Sequence, residues 1–309
     1  MTGIVTITMN PAVDISCVTD TVRPEHKLRT REEMYDPGGG GVNVARVVHD
    51  LGGTARAIIL VGGATGLLYE ELLGAHGVPY QAIPIRGRTR VALNVRESLS
   101  GQDYRFVPEG PVIAAEEWQA VLTALETVPA GFVVASGSLP RGVPEDFYAR
   151  AAAIARRRGQ RFVLDTSGPA LAAGLGQGIT LAKPSRREFA ALVGRDLPDE
   201  AALCAAAQEM VRRGAAEMLV VSLGAEGALL VRAEETLRLP AAAVEVKGAV
   251  GAGDAFVAGM TLGLARGEEP RRAFCLGLAA GAATVAAAGT AHPDPERTEQ
   301  IFAQLAARL

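Results

Sequence analysis

Short runs that are apolar from end to end, separated by amphipathic stretches, set the rhythm of this chain. Ile4 to Thr8, Ala57 to Val61, Phe132 to Ser136, Arg161 to Asp165, Thr180 to Ala182 and Met218 to Ser222 show little polar alternation. Strands of that kind need cover on both faces, as in a parallel sheet flanked by helices. Val42 to Leu51, Gly66 to His76, Ala115 to Leu125, Pro144 to Arg158 and Ala201 to Arg213 lie between them with helical spacing. Repeated strand and helix, joined by right-handed crossovers, predicts an α/β fold around a mostly parallel sheet. Two segments break the rhythm. Residues 14–35 and 89–106 are polar and extended, with Val91, Leu93 and Val95 at period two. They read as antiparallel strands outside the main sheet, a small lid inserted into one domain spanning 1–309. Pro293 to Arg297 reads as a connection to a last helix.

Composition narrows the function classes. With 31 Lys+Arg against 34 Asp+Glu the net charge is -3, which argues against a nucleic-acid partner needing clustered positive charge. The apolar runs stop well short of the ~20 residues that span a bilayer, and Met1 to Asn10 lacks the pattern of a secretory leader. A cytoplasmic protein without a membrane partner is expected. Cys17, Cys204 and Cys275 are odd in number and far apart, and the four histidines show no zinc-binding spacing.

Four stretches carry candidate chemistry. In GAVGAGDAF, Gly248 to Phe256, glycines precede an apolar helical run whose first N–H groups favour an anion. Asp254 in that hole can accept a proton from a substrate hydroxyl while the N–H groups stabilise a transferring phosphoryl group. It can equally be a helix cap. DPGGGGVNVAR, Asp36 to Arg46, leads glycines into a helix and turns Asn43 toward the same cavity, or is a flexible hinge. It fits neither a Walker A loop nor a dinucleotide fingerprint. Ser222 to Gly227 follows an apolar strand, where open α/β sheets bind ligands, though a hairpin turn has the same pattern. LAKPSRRE puts Lys183 and Glu188 at another strand end, suited to phosphate and metal contact or to a solvated helix start. Only three lysines occur among the 31 Lys+Arg residues, so a retained Lys183 hints that a compact ammonium is required.

These elements, in this order, resemble the PfkB (ribokinase-like) family of sugar kinases over essentially the whole chain. GGGGVNVAR is similar to the family's N-terminal signature and GAVGAGDAFVAG to its C-terminal one. TMNPAVD, HKLR, GGATG, YRFV and SGSLPRGV add to the likeness, which is strongest toward members acting on fructose 6-phosphate. The resemblance implies a ribokinase-like three-layer fold with a β lid, and ATP-dependent phosphorylation of the C1 hydroxyl of fructose 6-phosphate. Tagatose 6-phosphate or fructose 1-phosphate kinases share nearly every motif. A ribose or nucleoside kinase, or a non-catalytic sensor, fits less well.

Residue by residue, the resemblance implies Asp254 as base, with Gly251, Ala252 and Gly253 forming the anion hole. Asp14, Gly38, Gly39 and Asn43 match positions that hold sugar hydroxyls, and Lys27, Arg90, Arg105 and Ser138 match the surroundings of the existing phosphate or the lid. Lys183, Ser185, Ser222, Gly224 and Gly227 match ATP contacts. Glu188 matches the residue that organises Mg²⁺ through water. K⁺ would bind main-chain carbonyls of Gly248 and Val250 and others near Thr284 to Gly289. The lid implies a homodimer. Ser185 stands where the family usually has Asn, and Ala249 where it often has Thr.

Overall fold

The computed structural model describes residues 3–248, 250–287 and 292–309. Its strands in chain order are β1 (Ile4–Thr8), β2 (Ala12–Thr19), β3 (Arg31–Gly38), β4 (Ala55–Val61), β5 (Tyr80–Pro84), β6 (Arg90–Glu97) and β7 (Asp103–Phe106). Then come β8 (Phe132–Ser136), β9 (Arg161–Asp165), β10 (Leu181–Ala182), β11 (Met218–Ser222), β12 (Ala228–Arg232) and β13 (Glu235–Leu239). The helices are α1 (Gly40–Asp50), α2 (Gly63–Ala75), α3 (Ala115–Thr127), α4 (Phe147–Arg157) and α5 (Gly168–Gly174). The second half holds α6 (Arg186–Val193), α7 (Glu200–Arg212), α8 (Ala252–Ala265), α9 (Pro270–Val285) and α10 (Pro295–Ala306).

Nine strands form the main sheet in the order β13-β12-β11-β10-β9-β8-β1-β4-β5, parallel from β11 to β5 and antiparallel at the β12 and β13 edge. Successive side chains of each strand enter opposite cores. Ile59, Val134, Val163 and Val220 pack with α1, α2, α8, α9 and α10 on one face. Ile58, Val133, Phe162 and Leu219 pack with α3, α4, α5, α6 and α7 on the other. This double cover explains the unbroken apolar runs, since each buried Ile, Leu or Val contributes roughly 1.5–3 kcal/mol. The chain leaves β1 toward β4 on one side and returns to β8 on the other. That reversal opens a crevice at the carboxyl edge of the sheet, between β1 and β8.

A second sheet, ordered β3-β2-β6-β7, stands apart from the first. The expected antiparallel pairing holds for β2 with β3 and for β6 with β7, but β2 and β6 run parallel. The reason is that both leave the main body in the same direction, each beginning beside the β1 crevice, so they are joined by a long crossover rather than a hairpin. Tyr35, Ile15, Leu93 and Phe106 align across its four strands, placing an apolar row on one face. Tyr35 and Phe106 are exposed there. One further expectation is corrected: Pro295 to Arg297 is no mere connection but the first turn of α10, capped by the Asp294 side chain on the Arg297 N–H.

The glycine run of α1 is pressed into the crevice rather than hinged. A Cβ on Gly40 would sit 2.3 Å from Ser136 Oγ, and one on Gly41 2.4 Å from the Ile7 carbonyl oxygen. Helix propensity alone would make Gly41→Ala stabilising. The collision with backbone reverses the sign: the variant is expected to lose roughly 1–3 kcal/mol and to melt several degrees lower. A calorimetric melting temperature at or above wild type would contradict the packing.

Candidate active site

Helix α8 begins at Gly251, whose φ of 80° puts the N-cap in the left-handed region that glycine tolerates. No side chain caps this helix, so its first N–H groups, from Ala252 to Asp254, face the crevice with the helix's positive end. Asp254 does not cap its own helix. One carboxylate oxygen accepts from Asn43 Nδ2 at 2.9 Å and the other from Ser136 Oγ at 3.2 Å. The α1 and β8 ends thus fix both oxygens. Burial, then repulsion from Asp165, pushes the Asp254 carboxyl up to about 6, against the opposing pull of the Asn43 bond, Lys183 and the Ser136 bond.

Asp165 is a site residue that no sequence motif marks. It ends β9 and pairs with Lys183 Nζ at 3.1 Å, while Ser136 Oγ lies 3.5 Å from its other oxygen. Burial alone would lower the Lys183 pKa, but Asp165, Asp254 and Glu188 together hold it above its ordinary value. The ammonium is therefore charged. A Cβ on Gly253 would lie 3.4 Å from Lys183 Nζ, so this cation sits at the mouth of the α8 anion hole. The polar residues that end β8, β9 and β10 converge there because parallel strands deliver their carboxyl ends to one edge.

On the other side lies Asp14 of β2. Gly38 backbone presses on it so closely that a Cβ there would sit 1.9 Å from its carboxylate oxygen. Gly39, N-cap of α1, follows at once. Burial raises the Asp14 carboxyl to about 6, with Arg105 and Arg90 opposing, Asp36 adding to the rise and Arg46 opposing. Arg90 donates to the carbonyls of Asn10 at 2.9 Å and Pro108 at 2.8 Å, which fixes its guanidinium beside Asp14. Arg105 is exposed on β7. The side chains of Lys27 and Ser138 are also exposed, Lys27 between β2 and β3 and Ser138 just after β8, and neither bonds to a described residue.

The strand-end turns come together as well. Ser222 bridges to Ser185, and its N–H donates to the Pro184 carbonyl at 3.0 Å. Ser185 caps α6 in a reciprocal box with Glu188: its N–H and Oγ each lie 2.8 Å from Glu188 Oε2. The helix-start reading of LAKPSRRE is thus present in the geometry, alongside any role in the cleft. Gly224 to Gly227 form the turn of the β11–β12 hairpin, with Leu223 N–H donating to the Gly227 carbonyl at 2.8 Å. Lys247 and Gly248 N–H both donate to the Val285 carbonyl, bringing these two residues to the end of α9. Ala249 and residues 288–291 lie outside the described residues. A cavity of about 570 Å³, bordered by Ser16, Asn94, Arg96, Lys247 and Gly248, separates the second sheet from the 247–248 segment.

Known proteins share this fold. The pfkB family carbohydrate kinase model matches residues 2–297. The chain belongs to the pfkB family of carbohydrate kinases. It is 46% identical over 301 residues to the ATP-dependent 6-phosphofructokinase isozyme 2 of Mycobacterium tuberculosis, covering 97% of this chain and 88% of that one. It is 39% identical over 307 residues to the Escherichia coli protein of the same name, covering 99% of each. Solved structures of Escherichia coli phosphofructokinase-2, one with potassium and one with fructose-6-phosphate, superpose with TM-scores of 0.95 and 0.93 at 38% and 37% identity, each covering 99% of this chain and 100% of that one. A pfkB kinase is an ATP-dependent sugar kinase, and its chemistry needs a base at the acceptor hydroxyl and positive charge at the phosphoryl group. Among the described residues no helix is long and apolar enough to cross a membrane.

The raised carboxyls set a pH dependence. A base works only when ionised, so a group titrating at about 6 is progressively lost as pH falls through that value. kcat/KM is expected to be flat above pH 7 and to fall on an acid limb centred near 6, to which Asp14 adds a second proton. An acid limb centred below pH 5 would contradict the desolvated site.

Proposed function

We propose that this kinase transfers the γ-phosphoryl group of ATP to the C1 hydroxyl of fructose 6-phosphate, giving fructose 1,6-bisphosphate and ADP. The observation that carries the reading is Asp254, held by Asn43 and Ser136 at the uncapped start of α8. Its carboxylate accepts the C1 hydroxyl proton while the N–H groups of Ala252, Gly253 and Asp254 receive charge on the moving phosphoryl group. Lys183, kept cationic by Asp165, adds a compact charge at the same place. Asp14, Gly38, Gly39 and Asn43 grip the sugar hydroxyls. Arg90, Arg105 and Lys27 take the existing phosphate, and the names of the relatives favour that ligand. Ser138 borders the same end of the sugar.

Ser185, Ser222, Gly224 and Gly227 form the nucleotide side. Glu188 offers a hard, half-exposed carboxylate close enough to Lys183 and Asp165 to affect their titration, which fits Mg²⁺ held through water. When bound, Mg²⁺ supplies neutralisation of the ATP phosphates. The carbonyls of Gly248, drawn to the end of α9, and of Val250 are oxygen donors suited to K⁺. The second sheet is a lid, built from residues 14–35 and 89–106 of a single 1–309 domain, and the protein works in the cytoplasm.

An ADP-release assay across fructose 6-phosphate, tagatose 6-phosphate, fructose 1-phosphate and ribose tests the substrate. Fructose 6-phosphate should give the highest kcat/KM. Ribose as the best acceptor would sink the reading, since an uncharged sugar makes no use of Arg90.

Assembly follows from the lid's apolar row. A small sheet with Tyr35, Ile15, Leu93 and Phe106 on one face is poorly stable alone in water. A symmetric homodimer packing lid on lid covers it. Leu93→Asp is expected to shift light-scattering mass toward monomer and to raise KM for the sugar. A fully active monomeric wild type would contradict this.

A further inference from the structure

Beneath the sugar side of the crevice lies a charged cluster that the proposed chemistry leaves unused. Arg46, one turn beyond Asn43 on α1, is only 3% exposed. Its Nη1 donates to the Pro37 carbonyl at 3.3 Å and its Nη2 to Asp36 at 3.0 Å. The same Nη2 lies 3.0 Å from His76 Nε2. A guanidinium only donates, so His76 Nε2 accepts and the imidazole is neutral. Burial, Arg46 and His292 all lower the His76 pKa, in keeping with that assignment. His76 in turn stacks on His292, ring centroids 5.5 Å apart. A cavity of about 30 Å³ bordered by Asp14, Asp36, Asn43, Arg46 and His292 connects the cluster to the sugar side.

The strand register creates the need for this cation. Asp14 and Asp36 are directly opposed across β2 and β3. Like charges in that position repel, and a desolvated pair of carboxyls resolves the repulsion by one taking up a proton. A protonated Asp14 loses acceptor capacity for sugar hydroxyls. Arg46 places its charge on Asp36 from below. Its bond to the Pro37 carbonyl also fixes the strand end whose next residue, Gly38, presses on the Asp14 carboxylate. A lysine has one ammonium and no planar fork, and so cannot reach Asp36, Pro37 and His76 together.

We propose that Arg46 is a positioning residue for the sugar side of the site: its guanidinium clamps Asp36 and the Pro37–Gly38 backbone so that Asp14 stays in place as a hydroxyl acceptor. The charged and titratable groups facing Asp14 are Arg105 from β7, Arg90 from β6, Asp36 from β3, Arg46 from α1 and Tyr69 from α2. Loss of Arg46 removes one of the three cations that face Asp14 and takes the guanidinium away from Asp36. The Asp14 carboxyl then titrates higher than it does in the wild type.

This inference rests on the sugar-phosphate reading above, and its test keeps the two apart. Arg46→Lys, Arg46→Met and the double variant Arg46→Met with Asp36→Asn are compared with wild type in the full-length chain. With fructose 6-phosphate and MgATP, Arg46→Met is expected to raise KM for the sugar roughly tenfold or more, the loss of hydrogen bonds to a charged group, with KM for ATP within about twofold. The acid limb of kcat/KM moves to higher pH, and the double variant recovers part of the lost sugar affinity. Arg46→Lys keeps a buried cation and shows the same pattern at smaller size, which serves if the Met variant does not fold. Carbon-13 NMR of labelled aspartate reads the Asp14 titration with no substrate present and is expected to show the same upward move. Parallel rises in both KM values, an unmoved Asp14 titration, or a double variant no better than Arg46→Met would overturn the role. A wild type inactive on fructose 6-phosphate would instead overturn the substrate reading, with the NMR titration still deciding Arg46.

Discussion

The crevice depends on one buried chain of polar contacts, running from Asn43 through Asp254, Ser136 and Asp165 to Lys183. It draws on α1, α8, β8, β9 and the end of β10, so its members meet only if the whole sheet is assembled. Two carboxyls this close and this desolvated repel, and one ammonium cannot neutralise both. The result is an Asp254 whose carboxyl is pushed up to about 6. That is a working range for a base: ionised at neutral pH, yet basic enough to take a hydroxyl proton.

The arrangement carries a stability cost with a definite sign. In the unfolded chain the Asp254 carboxyl titrates near 3.8 and in the fold near 6. Between those values the fold holds more protons than the unfolded chain, so stability declines as pH rises through this window and stays reduced above it. The surrounding structure offsets the cost by close packing. Gly259 and Gly277 let α8 and α9 approach so nearly that a Cβ on either would come within 3 Å of the other helix's backbone oxygens. This buried pair, with the glycine run of α1 against β1 and β8, fixes the start of α8 where Asp254 works.

Much of this was legible in the residues. β1, β8, β9 and β11 match the expected runs residue for residue, because strands covered on both faces are apolar throughout and stand out against their neighbours. The edges were less readable: β13 and β5 are only partly buried and β5 ends in Pro84, so neither shows the long buried run that signals an inner strand, while the buried run of β12, Ala228 to Val231, was not assigned. The glycine-rich motifs marked both helix starts, since a close approach of backbone to ligand or to Ser136 admits little else. Asp165 escaped notice because it is a single polar residue closing an apolar strand with no local pattern to mark it, and Ser136, which opens SGSLPRGV, counted only toward the family likeness. Their meaning comes only from the neighbouring strands. Arg46 lay inside a recognised motif, but its burial and its opposition to the Asp14–Asp36 pair are products of register. The parallel pairing of β2 with β6 was hidden likewise, for parallel partners far apart in the chain leave no turn signal.

The central claim is that Asp254 is a base held ready by its neighbours rather than a structural cap. The most direct measurement is Asp254→Asn, with kcat set beside calorimetric affinities for ATP and fructose 6-phosphate and beside thermal stability. The account predicts a kcat lower by roughly 10²–10⁴-fold, both affinities retained, and a melting temperature at or above wild type, because the desolvated charge is gone. A variant that turns over near the wild-type rate, or that loses activity only because it melts, would contradict it.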